Sequence, residues 1–179
     1  AIFISDERKR ITYLIRDRFG IKPLYYHFNY PRKELTFCSE IPGIFLNKKI
    51  PKNQNFNETY NYLNKGLVSA TNETWFKDIY QVESSLYLEF SEKGFNKIKY
   101  YSLEENVNED EDNDNLSFYS HAKKIREKIE DSFRQHTVSD VQCGIHQSGG
   151  VDSAILVALT KLANKNFDTF DTSKLDLKL

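Results

Sequence analysis

The stretch VQCGIHQSGGVDSAILVALTKLA constrains the fold more than any other part of the chain. An apolar run leads into two adjacent glycines, Gly149 and Gly150, and a helix-like apolar pattern follows them. Glycine pairs lose much backbone entropy on ordering, so they are useful where the main chain turns sharply or approaches a ligand closely. The order predicts a strand, a loop and a helix. Because FDTFD further on predicts a second parallel strand, we expect a βαβ unit.

A loop between a strand and a helix directs unpaired amides and the positive end of the helix dipole to one place, which suits an anion. The loop SGGVDS contains no Lys, which separates it from the Walker A pattern. Ser148 and Ser153 can donate hydroxyl hydrogen bonds, and Asp152 can hold a metal ion. A helix N-cap beside a flexible glycine turn is the alternative, but capping alone does not require two glycines.

Two residues precede the loop at the carboxyl end of the predicted strand. The main chain of Gln147 lies where a nucleotide base is met in a parallel sheet. The imidazole of His146 would add positive charge beside phosphates when protonated, although an ordinary packed or hydrogen-bonded side chain is the simpler interpretation.

Composition excludes several classes of function. The 179 residues include 25 Lys and Arg against 26 Asp and Glu, so the net charge of -1 gives no attraction to nucleic acid or an anionic membrane. Cys38 and Cys143 lie far apart, which indicates neither a disulfide framework nor a zinc site. The chain has no apolar run of membrane-spanning length and no signal-peptide pattern. We therefore expect a soluble cytoplasmic protein without nucleic-acid or membrane partners.

The first hundred residues predict an α+β region rich in hairpins. AIFIS and RITYLI form one hairpin around DERK, and LYYHF and LTFCS form a second around NYPRKE. SEIPGIFLN predicts a short helix capped by Ser39, and FNETYNYLNKG predicts a helix ending at Gly66 with an apolar stripe at Phe56, Tyr60 and Leu63. Further strands are expected in WFKDIYQVESSLYLEF and FNKIKYYSL.

The acidic run EENVNEDEDNDN at 104–115 has almost no apolar residue to bury, so we interpret it as a linker, with an acidic docking segment as the alternative. After it, FYSHAKKIREKIEDSFRQHT predicts a helix with Ile125, Ile129 and Phe133 in one stripe. The predicted domains are 1–103 and 116–179.

Two motifs carry a resemblance to known families. SGGVDS resembles the pyrophosphate loop of the N-type ATP pyrophosphatases, which adenylate an oxygen and release pyrophosphate. RDRFGIKPLYY at 16–26, followed by LTFCSEIPGIF at 35–45, resembles the glutaminase domain of glutamine-hydrolysing asparagine synthetases. The likeness continues through YLNKG and YYSL, except that Ser84 and Ser85 replace the usual Pro-Gly and Tyr101 stands where Trp is common. These changes affect the expected turn geometry.

The resemblance implies a fold in two parts. The N-terminal part is an incomplete glutaminase sandwich of the Ntn-hydrolase type, and the second is the start of a parallel-sheet α/β ATP pyrophosphatase domain. It implies ATP-dependent amidation of aspartate, with ammonia from glutamine, through β-aspartyl-AMP. The implied cofactors are ATP and Mg²⁺, and the implied substrates are small molecules. Whether the protein forms a homodimer is left open. Asp152 is the expected metal ligand, and the expected ATP and pyrophosphate site consists of Gln147, Ser148, Gly149, Gly150, Val151, Asp152 and Ser153.

The same resemblance implies that the chain is an internal fragment without catalytic residues of its own. Family members hydrolyse glutamine with an N-terminal Cys, whereas residue 1 is Ala and no Met occurs anywhere. Both cysteines are expected to be small buried hydrophobic residues. Arg16, Asp17 and Arg18 are expected to form a salt-bridged turn in which Gly20 has positive φ.

Other functions stay open on the sequence. A β-lactam synthetase-like enzyme and an amidotransferase of surface-polysaccharide assembly share the implied architecture and differ in the acceptor. A noncatalytic fragment that binds nucleotide weakly, or pairs with a partner chain, is the alternative from a different class.

Overall fold

The computed structural model describes residues 1–68, 71–106, 116–160 and 167–171, with the backbone alone at 170 and 171. The chain divides into two compact units, residues 1–109 and 110–179. The predicted domain boundaries stay predictions, because residues 107–115 of the acidic run lie outside the described residues. The first residues of that run belong to a short helix, α3 (Leu103–Asn106).

Seven strands of the first unit form two antiparallel sheets. The strands are β1 (Ile2–Asp6), β2 (Ile11–Ile15), β3 (Tyr25–Asn29), β4 (Glu34–Cys38), β5 (Tyr80–Gln81), β6 (Leu86–Ser91) and β7 (Gly94–Lys99). One sheet has the order β1-β2-β6-β7 and the other has the order β4-β3-β5. Both predicted hairpins are confirmed, and each belongs to a different sheet.

The hairpin turns follow from local polar chemistry. The Asp6 carboxylate accepts hydrogen bonds of 3.0 Å from the amides of Arg8 and Lys9, which closes the β1–β2 turn. The Asn29 side chain accepts from the Arg32 amide at 3.1 Å in the β3–β4 turn. Such side-chain bonds to nearby amides are typical of Asp and Asn at turns.

The main core of the first unit contains side chains from both sheets. Leu14, Leu88 and Phe90 come from the first sheet, and they pack with Tyr26 of the second and with Leu24 beside it. A second cluster forms around Ile44 and Ile79, next to helix α1 (Ile41–Ile44). Burial raises the pKa of the Tyr26 hydroxyl. The alternating apolar residues of the strands therefore form one hydrophobic core that the two sheets share.

Two expectations about the helices of this unit are wrong. Helix α1 begins after Glu40, so Glu40 and not Ser39 occupies the N-cap position, and its side chain accepts no capping hydrogen bond. In helix α2 (Phe56–Lys65), Phe56, Tyr60 and Leu63 are exposed.

The buried side chain of α2 is that of Glu58, which is 5% exposed. Its carboxylate accepts hydrogen bonds from Thr71 Oγ1 at 3.0 Å and from Asn61 Nδ2 at 3.4 Å. These bonds compensate the loss of hydration of a buried charge, so the helix turns its polar side inward. Gly66 ends the helix in the left-handed conformation, as predicted.

The second unit contains helix α4 (Phe118–His136), strand β8 (Cys143–Gln147), helix α5 (Val151–Leu159) and strand β9 (Phe167–Asp171). The two strands pair in parallel, with Cys143 opposite Phe167, so the predicted βαβ order is confirmed. Phe133 of α4 packs with Ile145 and Leu159, as its place in the predicted stripe requires.

The rest of the predicted α4 stripe behaves differently, because Ile125 and Ile129 are exposed in this structure. Among the described residues, both cysteines are free thiols and are partly, not fully, buried. No helix in the described ranges has the length and apolar character needed to cross a membrane.

Candidate functional site

The candidate site is the turn between β8 and α5, which contains the glycine pair. Gly149 has a φ of 82°, a left-handed conformation that favours glycine. Gly150 is the N-cap of α5 with extended backbone, and it makes no side-chain cap. A Cβ on Gly150 would lie 3.5 Å from Ser148 Oγ, an ordinary contact. The left-handed backbone therefore favours glycine at position 149. At position 150 the missing side chain leaves the outer side of the loop open.

Serine hydroxyls hold the loop in shape. Ser153 Oγ accepts a hydrogen bond of 3.2 Å from the Ser148 amide and donates one of 2.9 Å to the Gly150 carbonyl. The hydroxyls of Ser148 and Ser153 lie 3.3 Å apart. The Ser153 hydroxyl hydrogen is thus used within the loop, so its first role is to brace the turn.

The loop also presents main-chain donors. Within the described residues, none of the amides from Gly149 to Ser153 has a hydrogen-bond acceptor, and the first amide bound in the helix is that of Ala154, which donates to Gly150 at 3.1 Å. The loop is largely exposed, as the side chains of Val151 and Asp152 illustrate. Unpaired amides at the positive end of a helix dipole form an arrangement suited to an anion.

Asp152 lies in the first turn of α5. The described parts of the chain contain no group of three or more His, Cys, Asp and Glu side chains that could hold a metal ion. Mg²⁺ in nucleotide sites is commonly bound by one or two carboxylates together with phosphate oxygens and water. A single carboxylate beside an anion site fits that pattern.

Parallel pairing brings β8 and β9 to a common carboxyl edge. The backbone of Gln147 lies opposite that of Asp171, directly before the glycine loop. His146, one residue earlier, is exposed. The sequence predicted the second parallel strand but not its register, because register depends on contacts between segments distant in the chain.

The turn after β2 differs from its prediction. Asp17 and Arg16 bind main-chain groups, not each other. The Asp17 carboxylate accepts from the amides of Ile21 at 2.9 Å, Lys22 at 3.1 Å and Phe19 at 3.2 Å. These bonds stabilise the charged form and lower the pKa of Asp17 to about 2.

Arg16 completes the turn with its guanidinium group. It donates to the carbonyls of Gly20 at 2.7 Å, Lys22 at 3.1 Å and Val82 at 2.6 Å. Gly20 has a φ of 65°, which confirms the predicted positive value. The RDRFG segment therefore holds β2 to the residues before β6.

Ser85 has a backbone conformation that favours glycine. Its φ is 62°, a left-handed conformation that strains an ordinary residue. Its hydroxyl donates to the Arg18 carbonyl at 2.8 Å, and its amide donates to the Asp17 carbonyl at 3.1 Å. Ser85 therefore adopts the left-handed turn, and its hydroxyl adds a bond that glycine could not make.

Comparisons with known proteins agree with the division into two units. The family described as "Glutamine amidotransferase domain" matches residues 1–101, and that described as "Asparagine synthase" matches residues 124–174.

Among curated proteins, the chain is 33% identical over 160 residues to asparagine synthetase [glutamine-hydrolyzing] 2 of Bacillus subtilis, covering 86% of this chain and 21% of that protein. It is 28% identical over 168 residues to putative asparagine synthetase [glutamine-hydrolyzing] 2 of Methanocaldococcus jannaschii, covering 90% and 30%. It is 26% identical over 159 residues to asparagine synthetase [glutamine-hydrolyzing] 3 of B. subtilis, covering 89% and 25%. The chain thus spans less than a third of the length of each of these relatives.

Proposed function

The chain belongs to the glutamine amidotransferase domain family and continues into an asparagine synthase segment, and from this we propose that it is part of a glutamine-hydrolysing asparagine synthetase. The whole protein would amidate aspartate through β-aspartyl-AMP, using ammonia from glutamine. The order of the two family matches along one chain is the observation that carries this proposal, since it joins an ammonia-producing module to an ATP-using one. The names of the relatives favour aspartate over other acceptors.

The proposed fold follows from the same premise. Two antiparallel sheets that share one core support an Ntn-hydrolase-type glutaminase sandwich in the first unit. A parallel strand pair around a glycine loop supports the start of an ATP pyrophosphatase domain in the second. Free, partly buried thiols and the near-neutral net charge fit a cytoplasmic enzyme acting on small molecules. We also propose that the protein acts without nucleic-acid or membrane partners, and a homodimer is included in the proposal.

The ATP site is proposed at the glycine loop, with Gln147, Ser148, Gly149, Gly150, Val151, Asp152 and Ser153. When bound, ATP would supply the adenylyl group that turns a carboxylate into an acyl adenylate, with pyrophosphate as the leaving group. The unpaired amides from Gly149 to Ser153 would hold the pyrophosphate oxygens, and Asp152 would bind the Mg²⁺ that accompanies them. Ser153 would keep the amides in position through its bonds to the loop.

A charge placed at Gly150 tests this assignment in the whole protein. We expect Gly150→Asp to abolish exchange of pyrophosphate into ATP, because its carboxylate would fill the open side of the loop and repel phosphate. Glutaminase activity should remain within about twofold of wild type, since that reaction belongs to the other module.

Gln142→Glu is a matched control, because it adds one negative charge at an exposed position outside the loop. It should leave both activities intact. If Gly150→Asp removed both activities to the same extent, the loop would not be the ATP site.

A further inference from the structure

The first unit contains a polar cavity of about 630 Å³ to which the proposed function assigns no residue. It lies between the turn after β2, the turn before β6, and the segment from β7 to α3. Its volume is within the range of small-molecule sites, about 300 to 1,000 Å³. Every lining residue belongs to the first unit, whereas the glycine loop belongs to the second.

Two guanidinium groups line the cavity without a carboxylate partner among the described residues. Arg16 donates to three main-chain carbonyls, which are neutral and leave its formal charge without an anionic partner. Arg18 is exposed and has neither an ion pair nor a side-chain hydrogen bond within the described part of the chain. The cavity wall therefore carries two guanidinium charges that form no ion pair within the described residues.

The carboxylates at the cavity are already engaged. Glu83 forms an ion pair of 2.9 Å with Lys97. Glu104 accepts a 2.6 Å hydrogen bond from Ser102 Oγ, and the same hydroxyl lies 3.3 Å from Lys99 Nζ. The hydroxyl bond and the nearby Lys99 lower the pKa of Glu104. These two carboxylates are therefore paired with groups other than Arg16 and Arg18.

Aromatic rings orient Arg18. The Cζ atom of Arg18 lies 5.0 Å from the centre of the Tyr101 ring, and the edge of Phe19 packs on the same ring at 6.5 Å. An arginine held over an aromatic face keeps the N–H donors in its own plane available for a planar or tetrahedral oxyanion. The Phe19 side chain is itself exposed beside the cavity and offers an apolar contact.

We propose that this cavity binds a small organic oxyanion, in which a phosphate or carboxylate group contacts the guanidinium of Arg18 and an apolar part contacts Phe19. Arg16 contributes charge from the wall, and its hydrogen bonds keep the wall rigid. The site goes beyond the proposed ATP site, because every residue that lines it belongs to the first unit, whereas the glycine loop belongs to the second.

Titration calorimetry on the 179-residue chain tests the proposal. The chain carries Gly150→Asp, so that phosphate binding at the glycine loop cannot contribute. The probes are AMP, ribose 5-phosphate, inorganic phosphate and glutamate, which separate phosphate from carboxylate recognition. We expect saturable binding of at least one organic probe, with a Kd at least tenfold weaker after Arg18→Gln.

Arg32→Gln is the matched control, because it removes the same charge from an exposed turn of the same unit outside the cavity. It should change the Kd less than twofold, and ligand-induced amide shifts in nuclear magnetic resonance spectra should centre on Phe19, Ser85 and Tyr101. The proposal is overturned if none of the probes saturates, or if the two variants weaken binding equally. Shifts confined to the second unit would also overturn it.

Discussion

Arg16 and Asp17 are adjacent in the chain and opposite in charge, yet each is bonded to main-chain groups. Asp17 accepts hydrogen bonds from three amides of the following loop, and Arg16 donates hydrogen bonds to three main-chain carbonyls. Ion pairs on a surface stabilise little, whereas a charged group that satisfies several backbone groups organises a loop that has no regular pairing. The two charged side chains therefore stabilise the conformation of the turn.

The lowered pKa of Asp17 predicts acid sensitivity of the first unit. Its folded-state pKa of about 2 lies below the ordinary value of 3.8, so the unfolded chain binds the proton more tightly. Its contribution is full above about pH 5 and is lost as the pH falls toward 2. We expect Asp17→Asn to lower the free energy of unfolding at pH 7 by about 1 kcal/mol, less than is typical of buried hydrogen bonds to a charged group, because solvent screens this partly exposed carboxylate.

Urea unfolding followed by the fluorescence of Trp75 measures this effect between pH 7 and pH 2. The variant and wild-type curves should converge at the acidic end. The control Glu7→Gln alters an exposed carboxylate and should follow wild type at every pH. A constant difference between Asp17→Asn and wild type across the range would contradict the assignment.

Ser85 combines backbone strain with a stabilising hydroxyl, and two substitutions separate these effects. Ser85→Ala removes the bond to the Arg18 carbonyl and keeps the strain, so the free energy of unfolding should fall by about 1 kcal/mol. Ser85→Gly loses the same bond but relieves a left-handed conformation that costs roughly 1–2 kcal/mol. Chemical denaturation should find the Gly variant more stable than the Ala variant. The reverse order would show that the turn is not strained.

At the scale of elements, the ends of α2 agree with its local sequence better than its buried face does. Asn55 caps α2 by accepting from the Asn57 amide at 3.1 Å, and Gly66 ends it. The stripe predicted for that helix is nevertheless exposed, while Glu58 is buried. Caps depend on a few neighbouring residues, whereas the inward face depends on which segments pack against the helix.

The end of α2 gives a direct test of backbone conformation. Gly66 has a φ of 66°, and a Cβ there would meet no atom within 4 Å. Gly66→Ala should therefore cost about 1 kcal/mol of unfolding free energy through the left-handed backbone alone. Gly66→Asn should cost less, because Asn tolerates that conformation. Thermal unfolding would compare the two variants, and equal losses would argue against a backbone origin.

At the scale of the whole molecule, the two units differ in how much core they contain. The first has clusters of six and four buried apolar residues, and the described part of the second has one cluster of three. Exposed apolar side chains are common on α4 and α5, including Ile125 and Leu156. Less buried apolar area means less stability, so the second unit is expected to unfold first.

Two probes can separate these transitions. Trp75, the only Trp of the chain, reports on the first unit, and far-UV circular dichroism is weighted toward the long helix α4. We expect the dichroism signal to change at a lower urea concentration than the fluorescence. Phe133→Ala should destabilise the early transition by about 3–5 kcal/mol, and Leu14→Ala should destabilise the later one by about 2–5 kcal/mol. One coincident transition for both probes would contradict independent unfolding.

Sequence alone determined the hairpins, the extent of α4, the glycine that ends α2 and the strand–loop–helix order around Gly149, because these depend on turn residues and short-range periodicity. The glycine loop and the RDRFG segment also indicated the family. Tertiary structure decided that the hairpins belong to different sheets, that Asp17 and Arg16 bind the main chain, and that Glu58 faces inward. Asp17 binds amides of the loop that follows it, but the other outcomes involve residues farther apart in the chain, such as Arg16 with Val82 and Glu58 with Thr71. Local propensity does not encode such contacts.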